Sequence, residues 1–487
     1  MVKLWIDAAA FDDFGGWTLE TQFVGEMGQA YLLASNIPGE LADDASVRFT
    51  LTQSGTYRFW VRTKNWLPDY SPGTFCLAVN SIRQSRLVAK ADVYAWHWEA
   101  ACDVYLTAGE NTLSVCDVGG WFARFAAVII TDDFDFTPSP QTERLLRTRS
   151  ELLHCDDTVD EGHFDILVAG AGPGGVPAAL AAARHGCSVA LIHSRPHIGG
   201  NASDEALVSF DGAGAFHSGM RETGIADEIK RTHDFYSLSW QQTLERLVSE
   251  EKNIRLYTNL LVTGADTVGS EITQVSCVGC VDGTKHSFTA NEYIDCTGDG
   301  WLAYYAGAQY RVGREPKWMY DESYAPEAPD ECTMSGCLMG TLNGRQALSY
   351  RAVDTGSPVE FRAPEWAVVL SGDLGREPLK LTSGAWWLEN RNDIDDLWEQ
   401  ERARDELIRL SLGYFDWLKN KWEHRERARN LAIVRFPAYN AKRESRRIIG
   451  DTLLTQNDIT RKDFHPEAIA YAGWTMDVHS VKGLFSG

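Results

Sequence analysis

The sequence of 487 residues lacks an excess of positive charge, a long apolar run and a regular cysteine framework. Its 46 Lys and Arg residues are outnumbered by 68 Asp and Glu residues, and the net charge is −22. This balance excludes a nucleic acid or an anionic membrane as the expected partner. No stretch approaches the roughly 18 apolar residues of a membrane span, and no apolar signal core begins the chain. Because the ten cysteines are scattered, we expect a soluble cytoplasmic protein.

Cysteine pairs with the spacing of a metal site are also scarce. The C-x-x-C pair, Cys277 and Cys280, lies in a stretch that predicts a β-hairpin, where residues three apart point to opposite faces. Cys332 and Cys337 have no second pair to complete a set of four ligands. We therefore expect no metal centre and no redox-active thiol pair.

The first 138 residues combine frequent turn signals with short alternating segments. Tyr57, Phe59 and Val61 fall on one face of such a segment, which predicts a strand. The spacing of the turns predicts an all-β, jelly-roll-like sandwich over residues 1–138. Six aromatic residues lie near these turns: Trp17, Trp66, Tyr70, Trp96, Trp98 and Trp121. Their rings could stack on sugars, but we favour core or inter-domain packing for any single one.

Residues 139–163 are predicted to be a linker, because prolines begin the segment and a polar stretch ends it. A glycine-rich motif follows. An apolar run at 166–169 precedes Gly170, Gly172 and Gly175 in a G-x-G-x-x-G spacing, and a second apolar run occupies 189–192. Strand, glycine turn, helix and strand in this order predict a dinucleotide-binding unit.

Each glycine of this motif has a physical role. Gly170 allows a sharp turn after the strand, and Gly175 lets the helix lie close to the sheet. Gly172 has no Cβ, so the backbone can approach a pyrophosphate that faces the helix N-terminus. The alternative is a glycine-rich turn in an ordinary α/β unit.

An acidic residue is missing at the end of the second strand, where such units bind ribose hydroxyls. His193 and Ser194 occupy this position. A neutral imidazole accepts one hydrogen bond where a carboxylate accepts a pair, so we expect binding weaker by about 1–3 kcal/mol. Arg195 could instead accommodate the 2′-phosphate of NADP, which keeps an NAD(P)-dependent reductase as an alternative.

Three motifs farther along the chain bear on which dinucleotide this unit binds. GGNAS at 199–203 is followed by TGDG at 297–300 and AGAQYRVGRE at 306–315. In this order they resemble the FAD-dependent oxidoreductases of the glutathione-reductase-like superfamily. From residue 164 to 487, the chain resembles in particular the bacterial FAD-dependent oxidoreductase family linked to carbohydrate breakdown. The segments GTYRFWVRT, WHWE and DVGGWFARFAAVIITDD make residues 1–138 similar to carbohydrate-binding-module-like sandwiches.

The resemblance implies a multidomain chain, in which a Rossmann-like FAD domain at 164–310 carries an inserted α+β substrate domain at 311–487. It also implies FAD as the cofactor. The residues that would bind it are Gly170, Gly172, Pro173, Gly174 and Gly175 at the pyrophosphate; Gly199, Gly200 and Asn201 along the pyrophosphate and ribityl; Thr297, Gly298 and Asp299 at the ribityl–phosphate region; Val262 at the adenine; and His193, Ser194 and Arg195 at the ribose.

Two residues are candidates for catalysis. Arg446, in the RESRR cluster, could hold a carboxylate or phosphate bidentately, or could belong to an ion-pair network with Glu444 and Asp451. His479 is the candidate general base, because alcohol oxidation by a flavin needs a proton acceptor near neutral pH. The helical stretch 394–429 has one apolar face, and its charged face is expected to be solvated.

These observations predict an FAD-dependent oxidoreductase that moves a hydride from a carbohydrate or glycoside to the flavin, with the sandwich docking the glycan. A small molecule or an oligosaccharide would be the substrate. For the oligomeric state, a homo-oligomer is one of the assemblies that the sequence allows. The alternative is a non-catalytic glycan-binding protein with a relic flavin domain. Family members continue with a segment that returns to the flavin. No such segment follows His479, so we expect a shortened chain or one that another chain completes.

Overall fold

The computed structural model describes residues 3–34, 37–153, 157–208, 210, 223–313, 315–328, 350–374, 378, 381–384, 388, 394–395, 397–436, 439–442, 445–461 and 468. Within these ranges, no helix is long and apolar enough to cross a membrane. The candidate base His479 lies outside the described residues.

The N-terminal part forms two antiparallel sheets that share one core. The first sheet has the strand order β2-β3-β10-β5-β8, with β1 also paired to β10, and the second has the order β4-β9-β6-β7. A short helix, α1 (Val24–Met27), connects β2 to β3. The strands are β1 (Lys3–Asp7), β2 (Trp17–Glu20), β3 (Tyr31–Ala34), β4 (Ala45–Leu51), β5 (Gly55–Lys64), β6 (Phe75–Val79), β7 (Ile82–Arg83), β8 (Trp96–Leu106), β9 (Gly109–Asp117) and β10 (Arg124–Thr131).

The alternation predicted for β5 is confirmed. Tyr57, Phe59 and Val61 are buried in a core cluster that also contains Val47 of β4 and Leu77 of β6. Alternate residues of a strand point to opposite faces, so this pattern directs one face of the first sheet toward the second. The two sheets therefore form a sandwich.

The stretch expected to be a linker is ordered into secondary structure. It contains helix α2 (Thr142–Leu153) and the first residues of strand β11 (Thr158–Ala169). Arg149 of α2 is buried, and its Nε donates to Oδ1 and Oδ2 of Asp7 in β1, at 3.1 Å and 2.9 Å respectively. Its Nη2 also donates to Asp7 Oδ2 at 2.6 Å. Its guanidinium also donates to the backbone oxygen of Asp282 at 2.6 Å. Helix α2 thus ties the sandwich to the next domain.

The second domain is an α/β unit around a six-stranded sheet. The strand order is β13-β12-β11-β16-β15-β14, in which β11 runs parallel to both β12 and β16. The predicted hairpin is confirmed as the antiparallel pair β15 and β16. The further elements are α3 (Gly175–Arg184), β12 (Val189–Ile192), α4 (Ile225–Tyr236), α5 (Trp240–Ser249), β13 (Ile254–Tyr257), β14 (Leu260–Val268), β15 (Glu271–Gly279) and β16 (Lys285–Asp295).

The elements after β16 include one long helix, α8 (Gln400–Asn420). Two small ribbons, β17–β20 and β18–β19, accompany it. Leu407, Leu410, Tyr414, Trp417 and Leu418 are buried along this helix, which confirms its predicted apolar face. The elements are α6 (Trp301–Tyr305), β17 (Tyr310–Arg311), α7 (Lys317–Tyr320), β18 (Arg351–Asp354), α8 (Gln400–Asn420), β19 (Leu431–Arg435), β20 (Arg447–Ile448) and α9 (Gln456–Arg461).

The prediction that the charged face of α8 is solvated is wrong near its N-terminus. Glu401, Arg404 and Asp405 are each at most 3% exposed. Glu401 accepts hydrogen bonds from Lys64 at 2.9 Å and from Arg124 at 2.8 Å, both from the sandwich. Burial alone would raise the pKa of Glu401, but the nearby Lys64, Arg124 and Arg404 cations lower it to about 2. These charges are buried because their partners come from the other domain.

The sandwich and the α8 region also share an apolar core. Phe23, Tyr31 and Trp66 of the sandwich join Trp366 and Leu407 in one buried cluster. Trp66 and Trp366 meet edge to face, with ring centroids 5.1 Å apart. The sandwich therefore packs against α8 and the residues around Trp366 through buried apolar side chains.

Candidate cofactor site

The glycine turn after β11 has the geometry that its spacing predicts. Gly170 has a φ of +99°, and a Cβ there would overlap the carbonyl oxygen of Cys296. A Cβ on Gly175 would overlap the carbonyl oxygen of Gly170, so α3 begins in direct contact with the strand end. By contrast, a Cβ on Gly172 would find only Gly200 Cα, at 3.9 Å. The turn is closed at both ends and open in the middle, where a phosphate would approach.

A second glycine segment lies opposite this turn. Gly199 has a φ of +119° and donates its N–H to the carbonyl of Ala171 at 2.8 Å. Gly200 has a φ of +54°, and a Cβ on it would lie 3.3 Å from Gly172 Cα. The side chain of Asn201 donates to the backbone oxygen of Lys442. The two glycine segments predicted to hold the pyrophosphate thus face each other.

The TGDG turn at the end of β16 is held by the last side chain of the strand and by the hydroxyl of Thr297. Asp295 accepts hydrogen bonds from the backbone N–H of Thr297 at 2.9 Å and of Ala303 at 2.9 Å. Thr297 Oγ1 accepts the N–H of Trp301 at 2.9 Å, so its hydroxyl supports the start of α6. Asp299 is 8% exposed and accepts a hydrogen bond from Lys442 Nζ at 2.5 Å. Its carboxylate is therefore positioned by Lys442, which follows β19 in the chain.

One cavity of about 630 Å³ joins these segments. Gly175 and Gly199 shape the turns behind its wall. The predicted residues that line it are Gly170, Gly172, Pro173, Gly174, His193, Ser194, Arg195, Gly200, Asn201, Val262, Thr297, Gly298, Asp299 and Arg446. Residues that are nearly 300 positions apart in the sequence thus meet around one volume.

His193 offers a donor to the cavity, where the sequence suggested an acceptor. Its Nδ1 accepts the N–H of Ala171 at 3.2 Å, so the ring proton lies on Nε2. Burial, and then the Arg195 cation, lower the pKa of His193 to about 4, so the ring is neutral. The backbone of His197 acts in the opposite direction and raises the pKa. The Nε2 atom is buried, and no group of the described residues meets it with hydrogen-bond geometry.

Arg195 is engaged in two ion pairs. Its guanidinium donates to Glu20 of the sandwich and to Glu205, and it donates to Thr21 Oγ1 at 3.2 Å. The ring of Tyr439 lies 5.2 Å from the guanidinium carbon. Two carboxylates already neutralise this cation, so a 2′-phosphate at this place would meet their charge.

Arg446 lies in a cage of aromatic rings. Its guanidinium carbon is 4.1 Å from the ring centroid of Trp301 and 4.3 Å from that of Tyr304. Its Nη1 donates to the backbone oxygen of Asp299 at 2.9 Å, while Nε is buried without a partner among the described residues. Of the two expected ion-pair partners, Glu444 lies outside the described residues, and Asp451 is exposed. Stacking and one backbone hydrogen bond hold Arg446 at the cavity wall.

Four cavity residues that sequence reasoning missed come from the sandwich: Gln22, Phe23, Gly25 and Glu26. The carboxyl group of Glu26 accepts the N–H of Gln400 at 2.7 Å, at the N-terminus of α8. Burial, and then the charge of Glu401, raise the pKa of Glu26 to about 8. No local pattern could reveal these residues, since the site reaches them only through domain packing.

The aromatic residues considered for sugar stacking are mostly packed. Trp121 meets Trp366 with centroids 5.2 Å apart, and Trp96 meets Tyr31 at 5.0 Å. Trp17 and Trp98 pack within the sandwich, against Phe75 and Trp5 respectively, and Trp66 is buried against Trp366. Tyr70 is 46% exposed. Packing, which the sequence favoured, is thus the role of five of these six side chains.

The thiols of the hairpin are unsuited to metal or redox chemistry. Burial raises the pKa of Cys277, and it raises the pKa of Cys280 to about 12. Both side chains are therefore neutral thiols at physiological pH. Across the described ranges, no cluster of His, Cys, Asp and Glu has the arrangement of a metal site.

Two facing glycine segments, the N-terminus of α3 and the TGDG turn around one cavity define a dinucleotide-binding α/β protein. Residues 165–486 match the sequence profile of a family described as FAD dependent oxidoreductase. This match covers more than half of the chain, and the chain belongs to that family. FAD is its cofactor, and the open face of Gly172 and the unpartnered His193 Nε2 fit the pyrophosphate and a ribose.

Three similar proteins each match part of this chain. A soluble pyridine nucleotide transhydrogenase of Marinobacter nauticus is 51% identical over 41 residues, which are 8% of this chain and 9% of that protein. L-proline dehydrogenase from P. horikoshii is 19% identical, with a TM-score of 0.20, over 33% of this chain and 26% of its own. A family 35 carbohydrate binding module from Clostridium thermocellum is 16% identical, with a TM-score of 0.23, over 27% of this chain and 98% of its own.

Proposed function

We propose that this protein is an oxidoreductase that oxidises a hydroxyl-bearing carbon of a carbohydrate or glycoside. FAD, when bound, supplies the hydride acceptor. The chain itself must bind the cofactor, position the sugar and receive the hydroxyl proton. The observation that carries the proposal is an aromatic and cationic wall, formed by Trp301, Trp398 and Arg446, in the cavity that the glycine segments form.

This wall has the chemistry of a sugar subsite. Trp398 lines the cavity and is 52% exposed, so a face of its indole is available to a ligand. Trp301 packs against it edge to face, with centroids 5.2 Å apart. Aromatic faces stack on the C–H faces of sugar rings. The Nε–H of Arg446, which has no partner among the described residues, can donate to a sugar oxygen. These groups favour a polyhydroxylated ring over a purely apolar substrate.

The part of the cavity beside the glycine turn has the chemistry to bind a charged diphosphate. Helix α3 begins at Gly175, three residues after Gly172, so the positive end of its dipole would lie near a pyrophosphate bound at this turn. Lys442 and Asp299 line the same cavity, where they form an ion pair. Helix dipole and ammonium group together would stabilise the pyrophosphate and fix the cofactor along the cavity.

Oxidation of an alcohol releases a proton as well as a hydride. FAD, when bound, would accept the hydride of the C–H bond, so the O–H proton would have to go to a base of the protein. His479 remains the proposed base. His479→Ala should abolish turnover while FAD stays bound, because only proton transfer is removed. Unchanged turnover in this variant would remove His479 from the mechanism.

The substrate proposal is tested by anaerobic mixing of the FAD-loaded full chain with aldoses, uronic acids and glycosides. We expect one class to bleach the visible absorbance of the flavin. Trp398→Ala should raise the sugar concentration needed for half-maximal bleaching by roughly tenfold while retaining FAD, since stacking is lost. The matched control is Trp318→Ala, because Trp318 is 71% exposed in α7 and does not line the cavity. No bleaching by any sugar would contradict the proposal.

The NAD(P)-dependent alternative is less well supported. Arg195, which could have held a 2′-phosphate, is held between Glu20 and Glu205. Thermal protection by NADP without protection by FAD would favour this alternative. The non-catalytic alternative requires sugar binding by residues 1–138 alone. It is opposed by the packing of Trp66 and Trp121 against Trp366.

A further inference from the structure

We propose that the sandwich completes the cofactor site, with Gln22 and His193 acting as hydrogen-bond donors to the adenosine ribose of FAD in place of the missing acidic residue. The inference rests on FAD as the cofactor and not on the identity of the substrate. It assigns a binding role to an N-terminal domain whose resemblance suggests only glycan docking.

The first observation is the unsatisfied donor at the end of β12. Nδ1 of His193 accepts the Ala171 N–H, and no group in the described part of the chain meets Nε2–H with hydrogen-bond geometry. The residue is 8% exposed and lines the cavity. A buried N–H without a partner is costly, and a native structure normally satisfies it. A ribose oxygen would be such a partner, because β12 ends where dinucleotide-binding units hold the ribose.

The second observation is that the sandwich is fastened to this strand end. Glu20, the last residue of β2, pairs with Arg195, two positions after His193. The same carboxylate accepts the N–H of Gln22 at 2.7 Å. Glu20 thereby fixes the backbone of residues 20–22 against the loop that follows β12. The contact is buried, with side-chain exposures of 8% for Arg195 and 3% for Glu20.

The third observation is the orientation of the Gln22 side chain. Its Oε1 accepts the N–H of Asn440 at 3.4 Å, so Nε2 remains to donate. Gln22 lines the cavity together with His193. Glu26 also lines it, but its carboxyl group accepts the N–H groups of Gln400 and Glu401 at the start of α8. Gln22 is therefore the sandwich side chain with a group to offer.

The sandwich also approaches the predicted adenine wall. A Cβ on Gly25 of α1 would lie 3.6 Å from Cδ2 of Leu261, the residue before Val262. The absence of a side chain at Gly25 thus leaves room between the two domains. Adenosine at this end would touch both domains, so its binding energy would depend on the docked sandwich.

The test is an equilibrium titration of the full chain with FAD and, separately, with FMN, which lacks adenosine, followed by flavin fluorescence. We expect Gln22→Ala and His193→Phe each to raise the Kd for FAD by roughly 3- to 10-fold, the scale of one lost hydrogen bond. The Kd for FMN should stay unchanged in both. His193→Asn, which keeps an N–H donor, should recover part of the FAD affinity.

The matched control is Gln84→Ala, because Gln84 is a partly exposed glutamine of the sandwich that does not line the cavity and whose side-chain amide donates to the backbone of Ile82. It should bind FAD as the wild type does. Equal FAD affinity in wild type, Gln22→Ala and His193→Phe would overturn the inference. So would an equal loss for FAD and FMN, which would indicate a folding defect. A failure of sugars to reduce the flavin would leave these binding constants unaffected, so the two proposals fail separately.

Discussion

The ammonium group of Lys442, which follows β19, lies 2.5 Å from a carboxylate oxygen of Asp299 in the TGDG turn. Side-chain exposures of 16% and 11% show that this pair is largely withdrawn from solvent. The segment 439–442 also places Tyr439 over Arg195 and Asn440 beside Gln22. One short segment thus runs along the cavity and contacts residues from all three parts of the chain.

Lys442→Met should weaken FAD binding by tenfold or more. The change removes a cation beside the pyrophosphate and leaves the Asp299 carboxylate unpaired, so like charges would face each other. Lys442→Arg should keep most of the affinity. Lys421→Met serves as the control. The ammonium of Lys421 pairs with Asp416 Oδ2 at a distance of 3.3 Å, and Lys421 does not line the cavity. FAD titration at low and moderate salt measures the effect. Equal affinity in Lys442→Met and wild type would refute this role.

Arg124→Met should destabilise the docking of the sandwich by about 3 kcal/mol, because it leaves buried carboxylates of Glu401 and Asp405 short of a partner. Arg58→Met removes a partly exposed pair with Asp103 and should cost less than about 1 kcal/mol. Denaturant midpoints and the rate of proteolysis between the domains measure the difference. Similar losses in the two variants would show that the buried network does not hold the interface.

Glu26 should make stability depend on pH. Its pKa is raised from 4.5 to about 8, so the folded protein holds a proton that the unfolded chain releases. The stabilising contribution is complete below about pH 4.5 and is lost as the pH rises through about 8. Glu26→Gln should therefore flatten the fall in thermal midpoint between pH 5 and 9, while Glu110→Gln, at an exposed position of β9, should not. An unchanged slope in Glu26→Gln would contradict this assignment.

Gly175→Ala should destabilise the protein by about 1–3 kcal/mol and abolish FAD binding, because the new Cβ would overlap the backbone oxygen of Gly170. Gly264→Ala is the comparison. Its Cβ would lie 3.6 Å from Ser276 Cβ, an ordinary contact distance. Thermal melts of both variants measure the effect, and a wild-type midpoint for Gly175→Ala would show that α3 can move away from the sheet at no cost.

Local sequence signals predicted the local structure. The glycine spacing of Gly170 to Gly175 specified a strand, turn and helix, and the alternation around Phe59 specified a strand of the sandwich. Each signal needs only neighbouring residues. The burial of Glu401 could not be predicted in this way, because its partners Lys64 and Arg124 lie hundreds of positions earlier.

In the candidate site, too, local motifs predicted some residues, whereas others depend on contacts between distant parts of the chain. Motifs specified the glycine segments and Asp299, whereas Gln22 and Lys442 entered the cavity only through packing between domains. His193 was recognised as a departure from the usual acid. Its role as a donor depended on the Ala171 N–H, a contact that no spacing encodes.

The most direct test of the account compares FAD binding by the wild type and by Gly172→Ala. A Cβ at Gly172 would meet only Gly200 Cα at 3.9 Å, so the fold should keep its melting temperature without FAD. The same methyl group would occupy the space where the pyrophosphate approaches. We predict that the wild type quenches flavin fluorescence on binding FAD and that the Kd rises at least tenfold in Gly172→Ala. Equal Kd values, or no FAD binding by the wild type, would contradict the account.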